Sequence, residues 1–220
     1  MPVSRLGRRL PLVVAALAGL TLSLSAAPAS AVAPVKAAPV TAAATGKLKV
    51  IGGTTTTVST PEAGKALLKN LILPLPVDGT KLDKITLKPL TIKTSMPIVG
   101  GSLDPAAFFA GTIKHNGGLK FVRPLAFKSV TVGDFAVKID ANPRVIATVN
   151  HDPNWRITLF TVDLSGLQLS GQAGELVLGG TKLLLSKQGA DTLNAALRTQ
   201  AFVAGSVFAE ATTTVQVVQT

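Results

Sequence analysis

The chain has 220 residues, with 22 Lys and Arg against 11 Asp and Glu, a net charge of +11, 47% apolar residues, and neither cysteine nor tyrosine. Without cysteine there are no disulfides and no lipid-modified N-terminal cysteine, so stability has to come from a packed core. The apolar content suffices for one, and the basic balance suits contact with anionic surfaces.

At the N-terminus, Arg5, Arg8 and Arg9 precede an acid-free apolar run from Leu10 to Leu24, followed by Ala27, Pro28, Ala29, Ser30 and Ala31. That order reads as a cleavable signal peptide over residues 1–31. The run is about 15 residues long where a membrane-spanning helix needs roughly 20, which argues against a retained anchor. A secreted or cell-surface associated protein is expected, with no transmembrane anchor after cleavage. Loss of the three leader arginines would leave 19 basic against 11 acidic residues, so the mature chain stays basic. Residues 32–46 are almost all Ala, Val, Pro and Thr, a composition that buries little and reads as a flexible tether.

From Lys47 to Thr220 a single β-rich domain is expected. Short runs such as Ile85 to Lys88, Val130 to Val132 and Phe135 to Ile139 alternate apolar and polar residues, which places one set of side chains on a core and the other in water. Asn116, Gly117 and Gly118 read as a hairpin turn, because Asn and Gly tolerate positive φ. Ala141, Asn142 and Pro143 break the next pair of strands, and His151 to Asn154 the one after. Strands repeating about every ten residues predict an antiparallel β-sandwich or a barrel-like meander. The Thr-rich end from Thr212 to Thr220 fits either an edge strand or a loose tail.

Two segments are helical in pattern. Thr60 is placed to cap a helix with Pro61 in its first turn and Leu67, Leu68 and Leu71 on one side, and Ser186 to cap another presenting Ala190, Leu193 and Leu197. Each follows a glycine pair (Gly52 and Gly53; Gly179 and Gly180) and a strand, so the two units resemble each other. Duplicated halves, about 47–110 and 111–220, are one explanation; a common supersecondary unit is the other.

No catalytic or metal-binding set emerges. His115 and His151 are the only histidines, and no zinc-type spacing joins them, although Asp140, His151 and Asp152 could meet at one end of a sheet. There is no Gly-x-Ser-x-Gly, no phosphate loop, and too few Glu and aromatic residues for a sugar-cleaving groove. The chain therefore reads as no enzyme, with no metal site and no required cofactor. The excess of Lys and Arg between Lys81 and Lys138 predicts a basic face, with Lys84, Lys88, Lys120 and Arg123 as an anionic-surface patch. Its partner would be a cell-envelope component or anionic polymer; nucleic acid is excluded because stacking aromatics are missing. His115 shares a strand face with Ile113 and Gly111. It reads as a core-edge histidine, or as one that meets an apolar ligand or a heme iron.

The run Gly111 to Leu119, then Val162 to Ser165, then Leu185 to Ala190 resembles the heme-transport-associated, HtaA-like domain of actinobacterial surface proteins, over about residues 98–197. The resemblance implies an exported β-rich fold that binds heme with help from a histidine, which falls on His115, and a tyrosine, which this chain lacks. Two functions are thus expected: a non-catalytic envelope or extracellular binding module with a basic face, and alternatively a heme-binding module using His115.

Overall fold

The structure is a computed structural model that describes residues 46–220. The expected signal peptide, and all of the expected tether except Gly46, lie outside the described residues. The chain forms β1 (Leu48–Ser59), α1 (Pro61–Lys69), β2 (Leu73–Val77), β3 (Lys81–Leu87), β4 (Leu90–Asp104), β5 (Ala110–His115), β6 (Gly118–Arg123) and β7 (Lys128–Ile139). It continues through β8 (Arg144–Val149), β9 (Asp152–Asp163), β10 (Gln168–Gln172), β11 (Glu175–Leu185), α2 (Lys187–Leu197) and β12 (Val207–Gln219).

The expected mainly β architecture is a barrel. Antiparallel ladders run β7, β5, β4, β1, β12, β11, β9, β8 and back to β7, closing eight strands on themselves. Closure leaves those strands no free edge. The C-terminal segment is neither edge nor loose: β12 is a wall strand, held by β1 on one side and β11 on the other.

Both capped helices form, at the same end of the barrel. Thr60 Oγ1 accepts from the Ala63 amide at 3.2 Å and Ser186 Oγ accepts from the Gly189 amide at 2.8 Å. Each helix then seats a glycine against a strand. A Cβ on Gly64 would lie far inside contact with the Leu90 carbonyl oxygen, and one on Gly189 would do the same to Leu159. Leu67 is buried, as are Ala190, Leu193 and Leu197, but the grouping of Leu67 with Leu68 and Leu71 does not hold. Leu68 is one position round the helix from Leu67, and Leu71 follows the helix end at φ 53°; both face solvent.

The Asn116 to Gly118 segment is not a hairpin. β5 and β6 do not pair with each other; both pair with β7 and run along it in the same direction, Gly111–Lys114 against Ile139–Ala136 and Gly118–Arg123 against Gly133–Lys128. The glycine makes a kink within one long strand. Gly117, at φ 119°, packs on Thr80 where a side chain would not fit, and its carbonyl accepts from the Asp134 amide at 3.0 Å. True two-residue turn geometry appears at Asn150 and His151, φ 52° and 60°, between β8 and β9.

The kink divides the wall. Below it β5 bridges β4 and β7; above it the edge of β4 is taken by β3, and the edge of β7 by β6 with β2 outside it. No ladder joins β2 to β3 among the described residues. The two arms diverge from an apex formed by Asp78 to Thr80 and Asn116 to Gly117. Ile85 and Leu87, expected on a core face by alternation, lie on the β3 arm and are exposed, because nothing in the fold covers that face.

A buried histidine in an apolar cavity

The barrel encloses a cavity of about 120 Å³. One wall carries the large apolar side chains of β7, β8 and β9, among them Phe135, Val137, Val145 and Phe160. The facing wall carries small and hydroxylated residues of β4, β1 and β12, including Thr94, Thr55, Thr57, Ala209, Ala211 and Thr213. These hydroxyls satisfy one another: Thr57 with Thr94 at 2.8 Å, Thr55 with Thr213 at 3.0 Å, and Ser59 accepting from the Ile92 amide at 2.9 Å. The lining therefore presents mainly methyl and methylene groups despite its composition.

His115, the last residue of β5, stands where the wall divides and is 5% exposed. Its Nε2 is 2.7 Å from Thr55 Oγ1. Two proton arrangements satisfy this contact. In one, Nε2–H donates to Thr55, which donates on to Thr213, and the Nδ1 lone pair is free. In the other, Thr55 donates to Nε2 and accepts from Thr213, and the proton of the ring is on Nδ1. Nδ1 is buried without a hydrogen-bond partner, and Thr80 Oγ1 at the apex shares that condition. Burial lowers the pKa of His115 from 6.5 to about 4; the carbonyls of Phe135 and Ile113 oppose this, but neither completes a hydrogen bond to Nδ1. The ring is thus neutral at physiological pH, and Nδ1 carries either a free lone pair or an unpaired N–H according to the tautomer.

Met96 lines the same cavity and escapes sequence reasoning, since a lone methionine on a strand reads as core. It lies opposite Thr55 across β4 and β1, and its strand neighbour two residues on, Ile98, is opposite His115. The cavity therefore holds an imidazole and a thioether on adjacent strands.

The basic patch is partly dispersed. Lys84 and Lys88 are exposed on the β3 arm, with Lys84 directly opposite Lys93, and Lys120 is half-buried on β6. Arg123 is used internally: its Nη1 donates to the carbonyls of Leu197, at 3.3 Å, and Arg198, at the C-terminal end of α2. A cation there satisfies carbonyls that the helix leaves open. Arg123→Leu is therefore expected to lower stability by about 1–2 kcal/mol, whereas Lys84→Gln shifts it by less than about 0.5 kcal/mol; denaturant midpoints check both. Asp140, His151 and Asp152 do not converge: Asp140 pairs with Arg144 at 2.9 Å, while His151 lies at the other end of β8, 3.5 Å from Asp78.

No protein-family model matches the chain, and no curated protein is significantly similar to it. Among solved structures, it is similar to the C-terminal domain of HtaA from Corynebacterium glutamicum, with TM-score 0.55 and 14% identity over 78% of this chain and 99% of that one. A domain-swapped dimer formed by a histidine-to-alanine variant of that domain gives TM-score 0.47 at 16% identity, covering 68% and 91%. The heme binding protein HtaB of the same organism gives 0.46 at 13% identity, covering 78% and 97%. The fold is HtaA-like.

Proposed function

We propose that this is an exported, non-catalytic binding module whose ligand is heme, received at the cavity around His115. The observation that carries the reading is a buried, neutral imidazole with an unpartnered ring nitrogen in an apolar cavity. The motif resemblance, which puts its histidine on His115, and the HtaA-like fold support it.

The donor set fits, with one departure. An imidazole is an established axial ligand of heme iron and a thioether is another, so His115 and Met96 are the residues that would hold the metal. The phenolate implied by the resemblance has no counterpart, and the hydroxyl of Thr55 is what stands against His115 here. What heme supplies when bound is an iron with open coordination positions in a broad apolar ring. This chain's part is to keep the imidazole unprotonated, to orient it through Thr55, and to exclude water with the walls of β7, β8 and β9. Heme would reach the cavity along the seam between the β2 and β3 arms, where no ladder joins them.

Titration with ferric heme followed by visible absorbance tests this. A Soret shift saturating at one equivalent is expected, with affinity falling at least about tenfold in His115→Ala. Unchanged binding by that variant would overturn the role of His115. Absence of any shift would favour the other reading, an envelope module that meets an anionic polymer through Lys84, Lys88 and Lys120.

A further inference from the structure

The helix end of the barrel gathers exposed apolar side chains and cations. Several contacts bring its parts together. Gly64 of α1 packs on Leu90 at the β3 to β4 turn, and Asn70 accepts from the Thr199 hydroxyl at 3.2 Å. Arg123 ties the end of β6 to the end of α2, and Leu73 pairs with Val122 one residue before it. On this end Leu68, Leu71, Leu73, Leu87, Leu125 and Phe127 all face solvent, with Leu87 77%, Leu125 76% and Phe127 94% exposed. Two of them are bulky residues held at positive φ, Leu71 at 53° and Phe127 at 50°, a conformation that disfavours large side chains.

Cations occupy the same end: Lys65, Lys69, Lys88 and Arg198 are exposed and Lys128 is half-buried. Of the acidic groups on the two helices, Asp191 is paired with Lys187 at 2.6 Å, which leaves Glu62 as the one carboxylate without such a pairing. Large apolar side chains together with lysines are not what an anionic polysaccharide needs, since it would meet the cations and leave Leu125 and Phe127 in water. A bilayer surface takes both, phosphate headgroups against the lysines and the apolar tips in the interface beneath.

We infer that this end docks on an anionic lipid bilayer, with Leu125, Phe127 and Leu87 entering the interface and Lys69, Lys88, Lys128 and Arg198 meeting headgroups. The inference is independent of heme. A built-in control exists: the turn between β4 and β5 has the same Pro-x-Ala-Phe form as the turn carrying Phe127. Its Phe108 is equally exposed, at 94%, but lies at the opposite end beside Asp104.

Cosedimentation with phosphatidylcholine vesicles, with and without phosphatidylglycerol, is the test. The protein should bind only the anionic vesicles. Leu125→Ser with Phe127→Ser should weaken binding at least about tenfold, and Lys69→Gln with Lys88→Gln by a similar factor. Phe108→Ser should bind as the parent does, and unchanged thermal melting would show that each variant is folded. No binding by the parent overturns the proposal. So does binding that is salt-sensitive yet indifferent to Leu125 and Phe127, which would be simple polyanion adhesion, and so does an equal loss in Phe108→Ser.

Discussion

Between pH 7.5 and pH 4 the protein is expected to lose about 3 kcal/mol of stability beyond what His115→Leu loses over the same range. The folded pKa of about 4 lies below the unfolded value near 6.5. Above pH 6.5 the ring is neutral in both states and contributes no pH dependence. As the pH falls below 6.5 the unfolded chain takes up a proton that the folded chain refuses, so unfolding becomes steadily easier. Near pH 4 the folded state is protonated too and the effect levels off. Denaturant midpoints for parent and variant at several pH values measure the difference, in which the carboxylates common to both cancel. Parallel curves would mean that the imidazole is not buried in its neutral form. The same titration bears on the proposed site, because a protonated ring has no lone pair to offer iron.

Gly64→Ala is expected to destabilise by about 3 kcal/mol, against the usual gain of up to about 1 kcal/mol for this change within a helix. The sign inverts because α1 rests its backbone on the Leu90 carbonyl, and a methyl group there must push the helix off β4. Gly189→Ala should behave alike against Leu159. Thermal melting of the two single variants is sufficient, and a rise in either melting temperature would show that the helix can slide without cost.

Much of the barrel was legible in the sequence, because alternation and turn chemistry act locally. Thr60 and Ser186 cap the helices they were expected to cap, and the Asn142 and Pro143 break separates β7 from β8. What was not legible depends on partners distant in the chain. Val130 and Val132 are even-numbered while Phe135, Val137 and Ile139 are odd, yet the first three are buried and the last two pack against the core, because the ladder slips at Gly133 to Ala136 with Asp134 at φ 48° and one extra residue changes the face. Asn116 and Gly117 have the composition of a hairpin turn, and only the common pairing of β5 and β6 with β7 shows them to be a kink. Ile85 and Leu87 have strand alternation with no layer to cover them. His115 was marked by its place at the end of a strand beside Gly117. Its hydrogen bond to Thr55, sixty positions away, could not be read from the chain, and neither could the placing of Met96 in the same cavity.

The parting of β2 from β3 has a mechanical consequence. Opening a closed barrel elsewhere means unzipping a row of main-chain bonds, whereas between these two flanks the described residues place only the bond from the Thr80 amide to the Val77 carbonyl at the apex. The stretch of wall that no ladder closes is therefore the one beside the imidazole.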